Sequence, residues 1–133
     1  MKTILTHIKG AAESAVLKDK LASAVGSGSL DVYSTPSMVA LMEKAACECI
    51  ANYLEDDEIT VGTELNIKHL SATPEGMTVR AEAELTKLND RELVFSVKAY
   101  DESGIIGVGE HKRFLVYGEK FTAKAKAKLI KNS

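Results

Sequence analysis

The amino-acid sequence predicts an α+β domain in which an antiparallel sheet wraps around one long helix, and three observations predict it. Residues 37–54 carry the apolar spacing of a single long helix. Beyond them, four segments alternate with period two and are separated by short turn sequences. One face of those segments is apolar and the other charged, so the sheet needs a cover, and the long helix is the element available to provide it.

Size and charge narrow the function classes. With 133 residues, 45% of them hydrophobic and 27% charged, the chain fits one domain spanning 1–133 with a genuine core. Lys plus Arg number 17 against 19 for Asp plus Glu, so a formal charge of -2 gives no overall attraction to nucleic acid. No apolar run approaches the roughly 20 residues of a membrane helix. Met1 to His7 lack the apolar segment of a secretory signal, and a cytoplasmic protein is expected. Cys47 and Cys49 sit two apart, about 200° around a helix, and cannot jointly grip a metal. They read as reduced, packed thiols, and no metal site is expected.

The elements follow in order. An extended segment, 4–16, leads into a short helical patch, 17–25, and then into the flexible run Gly26-Ser27-Gly28-Ser29. Pro36 at the start of the long helix and Thr35 before it make a good helix entry, with Thr35 as the expected cap. After the acidic turn Glu55-Asp56-Asp57-Glu58 come the alternating segments 59–72, 77–88, 91–100 and 105–116. Short turns between long strands predict a four-strand antiparallel meander. Leu65, Ile67, Met77, Val79, Ala81, Leu85, Leu93, Phe95 and Val97 share its apolar face. The stretch 120–131 alternates Ala and Lys, yet Phe121, Ala125 and Leu129 fit one helical stripe, and a short helix or frayed tail is expected. A strand, one central helix and an antiparallel sheet around it is the layout of the hotdog fold.

One carboxylate stands in the wrong place. At 100° per residue, Met38, Cys49, Met42, Tyr53, Ala46, Val39, Ile50, Leu54 and Cys47 form an apolar arc, and Glu43 falls between Ile50 and Leu54. An ionised acid there is costly unless it is paired or hydrogen-bonded. The alternation Ile59, Val61, Thr63, Leu65, Ile67 continues to His69, so an imidazole also points inward.

The runs Tyr33 to Ala46, Val61-Gly62-Thr63 leading to His69, Ala72 to Gly76, Gly107 to Arg113 and Glu119-Lys120-Phe121 resemble the hotdog thioesterases related to fluoroacetyl-CoA thioesterase. The similarity covers the chain from Asp31 onward. It implies a catalytic group of a threonine before the helix, a glutamate within it and a histidine on the next strand, which match Thr35, Glu43 and His69. The family's glycine ahead of the histidine matches Gly62. Gly62, Tyr33, Met38 and Arg113 are the expected substrate-binding residues. One stretch departs from the pattern: where the fluoroacetyl enzyme has a phenylalanine-containing lid, residues 22–34 offer only Tyr33 as an aromatic.

The chemistry of thioester hydrolysis suits these residue types, since it needs an activated hydroxyl, a proton carrier and donors for the oxyanion. His69 titrates near neutrality, Glu43 can orient it or act as base or nucleophile, and Thr35 lies where a helix start favours negative charge. Eight residues separate Thr35 from Glu43, roughly 12 Å along a helix. Either His69 and substrate bridge that gap or a dimer interface assembles the site. His111, alternating with Gly107, Gly109 and Arg113, reads as structural or interfacial. Lys120, Lys124, Lys126, Lys128 and Lys131 form a solvated face able to attract coenzyme A phosphates.

The expected function is hydrolysis of a small or medium acyl-CoA by a homodimer, with a dimer of dimers as the next assembly. Coenzyme A enters as part of the substrate, and no cofactor, nucleic acid or membrane partner is expected. The rivals on the same fold are an acyl-thioester dehydratase or hydratase and a non-catalytic acyl-CoA or small-ligand binding protein.

Overall fold

The computed structural model describes residues 1–131, and the last two residues of the predicted 1–133 domain lie outside that range. Strand β1 (Lys9–Ala15) leads through a 3-10 turn (Lys18–Lys20) and the short helix α1 (Ala22–Val25) to the long helix α2 (Thr35–Ile50). Strands β2 (Glu58–His69), β3 (Thr78–Asn89), β4 (Glu92–Asp101) and β5 (Gly104–Tyr117) follow, and α3 (Gly118–Lys131) closes the described chain. All neighbouring strands are antiparallel, in the order β1-β3-β4-β5-β2.

That order corrects the four-strand meander. Only β3, β4 and β5 form one, whereas β2 pairs with β5 at the far edge, Gly62 opposite Arg113 and His69 opposite Gly107. The side of β3 that β2 would need is taken by β1, with Ala12 opposite Ala81. Residues 70–77 are therefore a crossover, not a hairpin turn. They pass beside the start of α2, where the Tyr33 N–H donates to the Thr73 carbonyl at 2.8 Å and Val32 bridges Pro74.

Helix α2 starts where the sequence stops offering extended backbone, but its cap is Ser34 and not Thr35. The Ser34 hydroxyl accepts from the Ser37 N–H at 3.2 Å, and Thr35 and Pro36 are the first helical residues. The helix buries Met38, Leu41, Met42, Ala45, Ala46, Cys49 and Ile50 against β1, β3 and β4. Fully burying one such large side chain contributes about 1.5–3 kcal/mol. The buried stripe is rotated from the predicted arc: Cys47 is exposed, and Val39 and Glu43 lie half-buried on its border. The cause is position, because α2 sits over the β1-β3-β4 side of the sheet and leaves the inner face of β5 and β2 thinly covered. Glu43 looks out over that open part.

A bulge in β2 makes a second correction. The register shifts between Gly62 and Glu64, so Thr60 and Gly62 share the inner face with Leu65, Ile67 and His69, while Ile59 and Val61 turn outward. Leu65 points inward yet is 40% exposed, because nothing covers it. At the other end α3 is a full helix, with Phe121, Leu129 and Ile130 exposed beside Lys120, Lys124, Lys126 and Lys128. No helix among the described residues is long and apolar enough to cross a membrane.

Candidate active site

Thr35 and His69 come together from different elements. Capping by Ser34 leaves the Thr35 hydroxyl free, and it lies 2.8 Å from His69 Nδ1. The Thr35 backbone N–H also has no partner among the described residues, and Pro36 has no N–H at all, so the positive end of α2 is open at this point. His69 ends β2, and its other ring nitrogen, Nε2, is buried without a hydrogen-bond partner among the described residues. Burial pushes the His69 pKa down from its ordinary 6.5, partly offset by the Ser71 carbonyl beside the ring. A neutral imidazole near pH 7 follows, able to accept a proton. A cleft of about 330 Å³ opens here, lined by Val32, Tyr33, Thr35, His69 and Ser71 among others.

Tyr33 forms the inner wall of that cleft. It is 1% exposed, its hydroxyl has no partner among the described residues, and burial pushes its pKa up to about 12, so it stays protonated. Met38 lies one helical turn beyond Thr35 and is fully buried over Gly107, the strand partner of His69. A Cβ on Gly107 would come within 2.6 Å of the Met38 sulfur. Met38 thus belongs to the core beneath the His69 end and is sealed from the cleft.

Glu43 keeps different company. Its Oε2 accepts from Arg113 Nη1 at 3.3 Å and lies 4.0 Å from His111 Nε2, with 36% of its side chain exposed. Arg113 is itself held by Thr60: Nε donates to the hydroxyl at 2.9 Å and Nη2 to the carbonyl at 3.0 Å. The glycine at position 62 leaves the carboxylate reachable, since a Cβ there would stand 2.8 Å from Glu43 Oε2. Seven residues of β2 separate Gly62 from His69, roughly 20 Å of strand. Within one chain, then, the predicted group falls into two half-sites, Thr35 with His69 and Glu43 with Arg113 and Gly62. Thr60 and the crossover residue Ser71 escaped the sequence reading, because no local pattern marks a residue that matters only through strand order.

Comparisons with known proteins identify the family and the fold. Residues 16–119 match the family model of the fluoroacetyl-CoA-specific thioesterases. The fluoroacetyl-CoA thioesterase of Streptantibioticus cattleyicolor is 42% identical over 98 residues, covering 74% of this chain and 70% of that protein. A solved fluoroacetyl-CoA thioesterase structure superposes with a TM-score of 0.89 at 32% identity, over 96% of this chain and 98% of the other. A thioesterase superfamily member from Thermus thermophilus gives 0.91 at 28% identity, over 98% and 97%. A hot-dog-like protein from Thermanaerovibrio acidaminovorans, 17% identical over 92% of this chain and 91% of that one, shares the fold with a TM-score of 0.83. Most of its length aligned, its strand order and central helix shared, this chain belongs to the fluoroacetyl-CoA-specific thioesterase family of hotdog proteins.

Proposed function

We propose that the protein is an acyl-CoA thioesterase that hydrolyses a small or medium acyl-CoA to the free acid and coenzyme A, working as a homodimer. The observation that carries the reading is the Thr35 hydroxyl 2.8 Å from a neutral, half-buried His69 at the open start of α2. Such a pair supplies a proton acceptor for an attacking hydroxyl, and the Thr35 N–H with the helix dipole faces the developing oxyanion. The imidazolium then returns its proton to the departing thiolate, and a water that gives its proton to the same imidazole cleaves the acyl–threonine ester, releasing the free acid and restoring the Thr35 hydroxyl, so the balance needs water and no cofactor.

The dimer is what reunites the half-sites. Strand β2 is a twelve-residue edge with unpaired backbone groups, and the inner face beside it exposes Leu65. Antiparallel pairing of β2 with the same strand of a second copy, centred on Asn66 and with the bulge after Gly62 taking up one residue, sets His69 opposite Gly62 of the partner subunit, both on the inner face. Glu43 of the partner subunit then reaches the Thr35-His69 end, to orient the imidazole or act on the acyl carbonyl. Measuring free thiol released from a panel of acyl-CoA esters tests the activity. Release that survives in Thr35→Ser and is lost in Thr35→Ala supports it; an unsaturated or hydrated product with the thioester intact would identify a hydratase instead.

A further inference from the structure

The geometry points to His111 as a positioning residue that splits the Arg113 guanidinium and so governs how Glu43 is presented to substrate. This rests on the thioesterase reading for its kinetic consequence, but the network stands on geometry alone. His111 is completely buried on β5. Its Nδ1 lies 2.9 Å from the Glu64 carbonyl, which can only accept, so that nitrogen carries the proton. Its Nε2 is then a bare lone pair, and it lies 3.1 Å from Arg113 Nη1, which can only donate. The two neighbours leave one tautomer and no second proton. Burial and the Arg113 charge push the His111 pKa down from 6.5, with the Glu64 carbonyl and Glu43 acting the other way, in keeping with a neutral ring. The charged groups facing the ring are Arg113 on its own strand and Glu43 on α2, while β2 presents a carbonyl and β4 the stacked Phe95 ring.

The consequence lies in the count of N–H donors. Arg113 Nε and one Nη2 hydrogen go to Thr60, and the two Nη1 hydrogens are divided between His111 and Glu43. Glu43 therefore receives one guanidinium hydrogen bond where a free arginine fork would give a carboxylate two. With Thr60 taking the Nε and one Nη2 hydrogen and His111 one Nη1 hydrogen, three of the five donors fix Arg113 at the Gly62 concavity, and it meets Glu43 through Nη1 alone. The carboxylate keeps one oxygen for the reaction.

Two measurements test this. Long-range 1H–15N NMR of wild type should show His111 as the neutral Nδ1–H tautomer between about pH 5.5 and 8. An Nε2–H tautomer or an imidazolium in that range overturns the inference, whatever the enzyme turns out to hydrolyse. For kinetics, His111→Leu removes the acceptor, and His111→Gln keeps an acceptor oxygen near the old Nε2. His111→Leu should lower kcat for the best acyl-CoA about 10–100-fold with KM changed less than about threefold, and His111→Gln should recover most of that loss. Equal losses in both variants, or a loss confined to KM, would mean that His111 merely fills space. If His111→Leu does not fold, the NMR tautomer and the His111→Gln rate decide. Absence of thiol release in wild type, with the expected tautomer present, would sink the thioesterase reading and leave the hydrogen-bond network standing.

Discussion

Thr35 is freed for its contact with His69 by its neighbour. Because Ser34 caps α2, the threonine hydroxyl is spared that duty and turns to His69, a division of labour that the sequence order Ser-Thr-Pro disguises. Burial of His69 has a measurable price in acid. Its folded pKa lies below 6.5, so below that value the unfolded chain binds more protons than the folded one, and stability falls as pH drops through the window between the two. His111 acts in the same direction. Thermal melts at about pH 7.5 and 5.5 should show a lower Tm in acid, and His69→Gln should narrow the difference; an equal or larger difference in the variant would assign the effect elsewhere. The second residue-scale expectation concerns catalysis. Glu43→Gln and His69→Ala should each reduce turnover by about 10²–10⁴-fold, with the double variant little worse than either. Additive losses would mean that the two act on separate steps.

Among the elements, β2 separates what periodicity can reveal from what it cannot. Its strand character and the inward aim of His69 were legible, because alternation is a local property, although the expected segment 59–72 overran the strand's end at His69. Its neighbour was not: a period of two says which face a side chain takes and nothing about which edge the strand joins. The bulge after Gly62 was equally silent, since Ile59 and Val61 continue an unbroken alternation while facing the opposite way from Leu65. The partnership of Glu43 with Arg113 depends on both, so sequence alone could flag the acid as anomalous without naming its partner. Gly62 gives the sharpest test at this scale. In Gly62→Ala the new Cβ displaces the Glu43 carboxylate, a flexible group, so stability should change by less than about 1 kcal/mol while the rate falls at least tenfold. At Gly10 the new atom would instead meet the α2 backbone at Ala45 and Cys49, and Gly10→Ala should cost several degrees of Tm, which a thermal melt reads directly.

At the scale of the molecule, the uncovered edge and inner face of β2 call for a second copy. Light scattering should give about twice 14.3 kDa, and a fully active monomer would refute the proposed assembly. Substrate choice is also a whole-molecule property, because the cleft lies between α2, the crossover and the segment after α1. The one aromatic in that lining is Tyr33, which is buried in the wall, not draped over the opening. Small apolar contacts give about 1–3 kcal/mol of discrimination each, so kcat/KM for fluoroacetyl-CoA over acetyl-CoA should stay below about a thousandfold, with longer acyl chains favoured. A larger ratio would require a selective device that this cleft does not display.

The separation of Thr35 and His69 from Glu43 along a single chain has a genetic reading. On the proposed dimer, two defective copies, one carrying His69→Ala and the other Glu43→Gln, should each be nearly inactive as homodimers. In a mixed dimer of the proposed arrangement both faults would fall in the same site and leave the other intact. Random mixing should therefore restore about a quarter of wild-type activity from two dead proteins, and co-expression of the two alleles should behave as complementation.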